Sequence, residues 1–375
     1  MKNPFTNVLA RDAGFCNRKK EIATLCRHMT SGIHCMLYAP RRYGKSSLAH
    51  VVLNRLESAG EMVPIYVDLF KTDTMEDVAR TLYREIVNSL GRRAADKSTF
   101  GNRIMSFFKL IRLTLRLSAT PDKVAPEFEV SLGNEPPDLH LETIISSLDA
   151  YCEDQGVKVC LCLDEFQEIC NLAESRKIEA LLRGGMQACR HVSFLFMGSR
   201  RTILRDMFED QKRPFYKSAM VIPLPRIPKK EFETFILDHF HNAEMPLSKD
   251  EAAEIVSFSE GYPGYVQKLA MICFEAKQNG GTLLDAENTL IEMESGEFEG
   301  IYLGLTNTQK RLIRAIAEVR PTAIFSQQFI KNAELGSQGG VQTSLKSLIQ
   351  LDLIERDENS AWRVVDPIFA RWLRR

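Results

Sequence analysis

The order of apolar and polar positions predicts a chain that begins as parallel α/β structure and ends in helices. Near-continuous apolar runs of strand length stand at residues 34–38, 62–70, 157–163 and 192–198. Such runs are typical of parallel strands whose two faces are both covered. Apolar residues recur every three or four positions in the stretches between them, which indicates helices. We therefore expect an α/β fold in which a parallel sheet is flanked by helices, with residues 221–224 as its last strand.

From residue 228 onward the pattern is helical. Ser248 and Glu251 have the spacing of a capping box, and Pro263 suits the first turn of a further helix. The end of the chain shows three helical stripes followed by two short apolar runs around a polar turn, which together predict a winged helix. We expect three parts, namely a core at 1–227, a helical lid at 228–300 and a winged-helix domain at 301–375.

The stretch 91–139 departs from this pattern and is expected to be an insertion in the core. Lys and Arg cluster in its first half with only Asp96 opposing them, and apolar residues recur at helical spacing from Ile104 to Leu115. These features predict a basic amphipathic helix over 92–116, followed by an irregular loop with one short strand. Such a helix either contacts DNA, an anionic surface or a partner, or packs on the core with its cations in water. The sequence leaves both alternatives open.

Composition narrows the class of protein. A chain of 375 residues is expected to hold more than one domain. Its 49 Lys and Arg residues balance 49 Asp and Glu residues, so the chain as a whole has no electrostatic preference for nucleic acid or acidic lipid. Any such contact must come from a local patch.

Cysteine usage and the lack of targeting signals predict a cytoplasmic protein. The nine cysteines are odd in number and several lie within apolar runs, so we expect reduced, buried thiols. Cys160 and Cys162 alternate along a predicted strand, a spacing that does not suit a zinc knuckle. No apolar run reaches membrane-spanning length, and no apolar signal core follows Met1, so we expect no membrane span.

The first strand leads into a phosphate-binding loop. Strand, tight loop, Gly44-Lys45-Ser46 and a helical pattern follow one another, which is the layout of a P-loop. Backbone N–H groups and the helix N-terminus of such a loop bind phosphate, while the lysine reaches the β- and γ-phosphates and the serine hydroxyl binds Mg²⁺. The predicted cofactors are ATP or ADP and Mg²⁺. The expected nucleotide-binding residues of the loop are Ala39, Pro40, Arg41, Arg42, Tyr43, Gly44, Lys45, Ser46 and Ser47.

A pair of acidic residues ends the third predicted strand. Asp164 and Glu165 follow the apolar run 157–163, which is the pattern of a Walker B segment. The carboxyl end of that strand is expected beside the P-loop, because ligands bind at this edge of parallel sheets. We predict that Asp164 joins Ser46 in holding Mg²⁺, and that Glu165 orients the attacking water. Lys45 and Glu165 are thus predicted catalytic residues.

Together these segments resemble the archaeal-type ATPase family, a branch of the AAA+-related STAND group of signal-transduction ATPases. The resemblance spans nearly the whole chain. It is carried by Phe15, Arg18 and Glu21, by Pro40–Ser46, Leu163–Gln167, Gly198 and Ser199, by Gly261–Pro263, and by the ending Asp366–Leu373. The family implies binding of ATP and Mg²⁺ and an architecture of P-loop core, lid and winged helix.

The resemblance also implies roles for individual residues. Phe15 and Arg18 would lie against the adenine base, and Pro263 would contact the nucleotide, with a plain helix start as the alternative. Ser199 or Arg200 would act as sensor 1, the polar group near the γ-phosphate. Arg200 would add positive charge where the transition state gains negative charge, with a surface arginine as the alternative.

Two positions depart from the family pattern. Ala39 stands where the P-loop motif has its first glycine, and it is expected to be tolerated if its φ is negative. Asn17 stands where the family usually has glycine, and asparagine tolerates a left-handed backbone.

Two hypotheses of function follow. In the first, the chain is a nucleotide-controlled switch that hydrolyses ATP to ADP and phosphate and acts on a protein partner or on a second copy of itself. In the second, it is an origin-recognition-like ATPase whose winged helix binds DNA. The expected recognition helix, 338–350, carries Lys346 as its sole cation, which argues against tight DNA binding. We therefore favour the switch. A nucleotide binder without turnover is disfavoured because Asp164 and Glu165 are both present.

Overall fold

The computed structural model describes residues 2–6, 14–93, 97–107, 114–118, 127–131 and 136–375. The chain divides into two units. The sheet unit contains Lys19–Ala39 and Leu48–Leu224, and the helical unit contains Met1–Arg18, Pro40–Ser47 and Pro225–Arg375. Within the described ranges, no helix is both long enough and apolar enough to cross a membrane.

The first part of the chain alternates between helices and strands, except that two helices and then two strands follow one another in the inserted stretch. In order, they are α1 (Lys19–Thr30), β1 (Cys35–Tyr38), α2 (Lys45–Ser58), β2 (Val63–Asp68), α3 (Met75–Arg92), α4 (Lys97–Phe107), β3 (Thr114–Ser118), β4 (Glu127–Ser131), α5 (Pro137–Gln155), β5 (Val159–Asp164), the 3-10 helix Phe166–Asn171, α6 (Ser175–Ala188), β6 (Val192–Gly198), α7 (Arg201–Glu209) and β7 (Met220–Pro223).

Five of these strands form a parallel sheet in the order β2-β5-β6-β1-β7. Every residue of β5 and β6 is buried, as the continuous apolar runs predict. Asp68 pairs with Asp164 on the neighbouring strand, and Tyr38 pairs with Gly198. Because the strands are parallel, their carboxyl ends share one edge of the sheet, which is the edge where ligands bind in open α/β sheets.

The inserted stretch differs from its prediction. Helix α4 ends at Phe107, and residues 114–118 form a strand that pairs antiparallel with β4. The predicted helix over 92–116 is therefore wrong at its end, since Arg116 pairs with Glu129 across a hairpin. The single short strand expected in the loop is present as β4, and residues 108–113 lie outside the described residues. Non-local strand pairing overrode the helical spacing here.

The rest of the chain is mainly helical. In order, its elements are α8 (Lys229–Asn242), α9 (Lys249–Phe258), α10 (Pro263–Gln278), α11 (Leu283–Leu303), α12 (Asn307–Val319), α13 (Gln327–Asn332), α14 (Gln338–Gln350), β8 (Ile354–Arg356), β9 (Trp362–Val364) and α15 (Pro367–Leu373). The capping box at Ser248 is present, and Pro263 is the first residue of its helix.

The end of the chain has the predicted winged-helix order of three helices, a hairpin and a final short helix. Strands β8 and β9 pair antiparallel. The predicted fold class is confirmed, with a parallel sheet flanked by helices, further helices after it, and a winged helix. The expected domain boundary at 301 falls inside helix α11.

Candidate functional site

The P-loop combines a short turn with two left-handed residues. Among its residues, Arg42 (φ 63°) and Gly44 (φ 81°) have positive φ, and Ala39 does not. The condition for tolerating Ala39 in place of glycine is therefore met. Gly44 adopts its conformation without steric cost, whereas Arg42 carries a penalty of about 1–2 kcal/mol, so other contacts must hold it there.

Lys45 is the first residue of α2 and is buried. Its ammonium donates a hydrogen bond to the carbonyl oxygen of Pro40 at 3.0 Å. The lysine side chain therefore spans the loop from its end to its beginning. Ser46 and Ser47 follow in the first turn of the same helix and are half-buried.

Arg42 is held by acidic and aromatic side chains from two helices. Its guanidinium lies 2.6 Å from the carboxylate of Glu294 and 2.7 Å from that of Glu297, both on α11. It also lies over the ring of Tyr265 on α10, at 4.7 Å from the centroid. Arg41 makes a longer contact with Glu297, at 3.4 Å. These contacts compensate the left-handed backbone of Arg42.

The start of helix α10 packs directly on the P-loop. The N–H of Gly264 donates to the carbonyl oxygen of Arg42 at 2.9 Å. A Cβ atom on Gly264 would lie 2.9 Å from the Cβ of Arg42 and 3.1 Å from its carbonyl oxygen, which is too close for a side chain. A Cβ atom on Gly44 would lie 3.8 Å from Pro263. The Gly-Tyr-Pro-Gly sequence thus supplies a close backbone approach, a role that the sequence reasoning did not assign to Gly264.

Two tyrosines of this segment connect it to the winged helix. The hydroxyl of Tyr265 donates to Asp366 at 2.6 Å, and the hydroxyl of Tyr262 donates to the carbonyl oxygen of Val365 at 2.5 Å. Burial and the Asp366 carboxylate raise the pKa of Tyr265, which keeps its hydroxyl protonated as a donor. The other oxygen of Asp366 accepts from the N–H groups of Ile368 and Phe369, so this carboxylate is the N-cap of α15.

The residues expected at the adenine base lie just before α1. Asn17 has a φ of 55° and Arg18 a φ of 73°, so asparagine adopts the left-handed backbone for which the family uses glycine. The buried guanidinium of Arg18 donates to the carbonyl oxygens of Pro225 and Tyr43. Arg18 therefore contacts the P-loop backbone. Phe15 is half-buried.

In the sheet unit, Asp164 and Glu165 occupy the end of β5 and the residue after it. Asp164 is 4% exposed and accepts a hydrogen bond from the hydroxyl of Tyr66 on β2. Its other oxygen accepts from the N–H of Glu165 at 2.9 Å. Tyr66 was not among the predicted site residues, because its contact depends on the pairing of β2 with β5.

Asp68 is a second residue that the sequence reasoning missed. It pairs with Asp164 in the sheet register. Burial raises its pKa, and the negative charges of Asp164 and Glu165 raise it further. Three carboxylates thus lie at this end of β2 and β5, although only the Asp-Glu pair is recognisable as a sequence pattern.

Glu165 has a left-handed backbone, with a φ of 49° and a ψ of 41°, where the chain turns from β5 into the 3-10 helix. Its Oε2 atom accepts from the hydroxyl of Ser199 at 3.0 Å, from the Ser199 N–H at 3.3 Å, and from the side-chain amide of Gln167. Ser199 therefore contacts the glutamate of the predicted Walker B segment. Arg200 is the N-cap residue of α7 and is half-buried.

A buried aromatic cluster anchors the turn after Glu165. Phe166 is fully buried, and its ring packs on Phe196 of β6 at 4.7 Å and edge-on to Phe215 at 5.2 Å. Burying one such ring contributes about 2–3 kcal/mol. The residue that follows the glutamate thus fixes the position of the turn.

Comparison with known proteins decides the family. The family described as an ATPase domain predominantly from Archaea matches residues 15–269, and a probable winged helix domain matches residues 296–375. The chain belongs to this archaeal ATPase family. A search of curated proteins found no match.

Solved structures share the fold over nearly the whole chain. The Walker-type ATPase PABY2304 of Pyrococcus abyssi has 20% identity and a TM-score of 0.70, covering 98% of this chain and 98% of that one. The ORC2 protein of Aeropyrum pernix in its ADPNP–ADP complexes has 17% identity and a TM-score of 0.58, covering 95% and 91%. The ORC1 protein of Aeropyrum pernix in complex with DNA has 14% identity and a TM-score of 0.51, covering 96% and 93%. At these identities the similarity shows a shared fold.

Proposed function

We propose that this member of the archaeal ATPase family is a nucleotide-controlled switch of the signal-transduction type, which binds ATP and hydrolyses it to ADP and phosphate. One observation carries the proposal. Arg42 of the P-loop lies against Tyr265, and Tyr265 donates to Asp366, the N-cap of the last helix of the winged helix. A nucleotide that moves Arg42 therefore acts on the winged helix through two direct contacts, which is how a ligand biases a two-state protein.

Nucleotide binding would use the P-loop as follows. Backbone N–H groups from Ala39 to Ser47 would bind the phosphates, and Lys45 would exchange the Pro40 carbonyl oxygen for the β- and γ-phosphates. Phe15 and Arg18 would lie at the base, and Pro263 would contact the nucleotide. The position of Gly264 against the Arg42 backbone supports a role for this helix start beside the loop.

The residues also suit Mg²⁺. Hard oxygen donors are the ligands that Mg²⁺ takes, and one or two carboxylates beside substrate phosphates are its usual set. Asp164 supplies a carboxylate oriented by Tyr66 and by the Glu165 N–H, and Ser46 supplies a hydroxyl. The ion would neutralise charge on the phosphate oxygens.

Hydrolysis would depend on Glu165 and its neighbours. The Glu165 carboxylate would accept a proton from the attacking water and orient that water. Ser199 would hold this carboxylate through the hydrogen bond that joins them. Arg200 would stabilise negative charge in the transition state.

DNA binding is the competing function, because a structural neighbour, the ORC1 protein, was solved in complex with DNA. The exposed residues of α14 include Gln338, Gln342, Thr343 and Gln350, with Lys346 as the cation of this helix. On the hairpin, Arg363 lies within 2.7 Å of Glu260 and also pairs with Glu355. Phosphate contacts dominate DNA affinity, so these features support the switch over tight DNA binding. A partner protein or a second copy of the chain would receive the signal.

The experiment compares Tyr265→Phe with wild type. This change keeps the ring over Arg42 and removes the hydroxyl that donates to Asp366. We expect the ADP dissociation rate to change by about 5-fold or more, the lower end of typical coupling between sites, while ATP still binds. Tyr216→Phe, a change in the sheet unit, is the matched control and should leave the rate as in wild type. Point variants serve better than deletion of 301–375, because 301 lies inside α11.

Duplex-DNA binding at physiological salt is measured alongside. An ADP dissociation rate that Tyr265→Phe leaves unchanged would contradict the switch. If the protein also bound DNA below micromolar concentration, the DNA-binding hypothesis would replace it.

A further inference from the structure

Gln167 is a buried polar residue beside the Walker B glutamate. It is 1% exposed and lies in the 3-10 helix that follows Glu165. Its side-chain nitrogen donates to the carboxylate of Glu165 and to that of Glu168, at 3.1 Å for the latter. A buried amide is costly unless it is hydrogen-bonded, so a residue placed here is held by these acceptors.

The side-chain donors to Glu165 converge on one oxygen, which the Ser199 N–H also contacts. The Ser199 hydroxyl and the Gln167 amide both bind Oε2. In the described part of the chain, Oε1 has no comparable hydrogen bond, so it is the oxygen left to accept a proton from water. A glutamate side chain has three rotatable bonds, and fixing one oxygen from two sides restricts them.

Gly198 makes room for the Gln167 amide. A Cβ atom on Gly198 would lie 1.8 Å from Oε1 of Gln167, 3.0 Å from its Cδ and 2.8 Å from Cδ1 of Leu204. Any side chain at this position therefore displaces the amide. Gly198 ends the strand from which Ser199 follows, so one backbone segment supplies both the space for Gln167 and the second donor to Glu165.

We propose that Gln167 is a positioning residue for ATP hydrolysis, which holds the Glu165 carboxylate so that Oε1 accepts the proton of the attacking water. The proposal rests on the hydrolytic function proposed above. It predicts a loss in the rate of the chemical step without a loss in nucleotide affinity, because Gln167 acts on the reaction by holding the Glu165 carboxylate.

The experiment uses the full chain and Gln167→Met, which keeps the side-chain length and removes both amide N–H donors. We expect kcat for ATP to fall by about 10-fold or more, the scale of a lost hydrogen bond to a charged group, with the ATP dissociation constant within about 2-fold of wild type. In a Glu165→Gln background, Gln167→Met should cause no further fall, since the group it positions is already gone.

Two further variants separate positioning from general damage. Gly198→Ala should lower kcat like Gln167→Met, whereas Gly184→Ala should leave it unchanged, because no atom lies within 4 Å of a Cβ at Gly184. Gln167→Asn keeps a buried amide but shortens the side chain by one methylene group. It therefore tests the same hydrogen bond to Glu165 if the methionine variant unfolds.

The outcomes are distinct. Suppose that wild type hydrolyses ATP and the Gln167 variants have the same kcat as wild type. The positioning role is then wrong, although hydrolysis stands. The same holds if Gln167→Met lowers kcat by the same factor in the Glu165→Gln background as in wild type. If wild type shows no phosphate release, hydrolysis itself is refuted and this role falls with it.

Discussion

The guanidinium of Arg42 lies 2.6 Å from the carboxylate of Glu294, a side chain that is 3% exposed. Glu294 also accepts from the ammonium of Lys268 at 2.6 Å. One buried carboxylate thus neutralises a cation of the P-loop and a cation of α10. Removing this carboxylate is destabilising, because Arg42 then keeps only Glu297 as an acidic partner and Lys268 loses its ion pair.

The pH dependence of stability should reveal this carboxylate. Burial raises the pKa of Glu294, but hydrogen bonds from Arg42 and Lys268 outweigh it and leave the pKa below its ordinary value of 4.5. A carboxyl group whose pKa is lower in the folded protein than in the unfolded chain stabilises the fold. This contribution is complete above the unfolded pKa and is lost as the pH falls through the folded pKa. The urea midpoint of wild type should therefore fall more steeply below about pH 4.5 than that of Glu294→Gln.

At neutral pH, Glu294→Gln should be less stable by about 1.5–3 kcal/mol, the range for hydrogen bonds to charged groups. Met293→Gln alters an exposed residue of the same helix and keeps the Glu294 carboxylate, so its pH profile should run parallel to that of wild type. Parallel profiles for wild type and Glu294→Gln would show that this carboxylate is not the group that titrates.

Lys45→Ala should abolish measurable ATP affinity and leave the fold intact. The lysine is the cation expected to contact the β- and γ-phosphates, and charge-assisted hydrogen bonds of this kind contribute about 1.5–3 kcal/mol each. Titration calorimetry with ATP and Mg²⁺ measures the loss. Lys230→Ala, an exposed lysine of α8, is the control and should bind as wild type does. Equal ATP affinity in Lys45→Ala and wild type would refute the assignment of the P-loop.

Glu165→Gln should bind ATP normally. Its rate of ATP hydrolysis should fall by about 10²-fold or more, the scale of a lost general base. The amide keeps the size of the carboxylate and the left-handed turn but removes its basicity. Glu142→Gln, a change at an exposed glutamate of α5, is the control and should hydrolyse ATP as wild type does. Phosphate release under single-turnover conditions measures the effect, and equal rates for both variants would mean that another group positions the water.

Gly264→Ala should disturb the P-loop from outside. Its Cβ would lie 2.9 Å from the Cβ of Arg42 and 3.1 Å from the Arg42 carbonyl oxygen, and this backbone cannot move aside without changing the loop. We expect ATP affinity to fall by about 10-fold and stability by about 1–3 kcal/mol, the usual cost of overpacking. Gly300→Ala on α11, where no atom lies within 4 Å of the added Cβ, should retain wild-type affinity. If both variants bound ATP as tightly as wild type, the start of α10 would have no role in nucleotide binding.

Much of this fold was predictable from local sequence. The capping box at Ser248 and the P-loop were each recognisable within a few residues, and the structure contains both. Such features can be recognised locally, because they depend on hydrogen bonds between residues close in sequence and on the spacing of apolar residues over a few positions. The helix predicted from the apolar spacing up to Leu115 was wrong at its end for the opposite reason. Residues 114–118 pair with a strand that comes later in the chain.

The surroundings of the site required the tertiary structure. Glu294 stands in a helix rich in glutamates, and nothing in its spacing distinguishes the buried carboxylate that binds Arg42 from exposed ones such as Glu299. Likewise, Tyr66 meets Asp164 because β2 pairs with β5, and Gln167 fits because Gly198 on β6 has no side chain. The sequence alone was enough to predict which residues would carry the chemistry, because the motifs are short. The strand order and helix packing decided which side chains hold those residues in place, because such contacts join positions far apart in the chain.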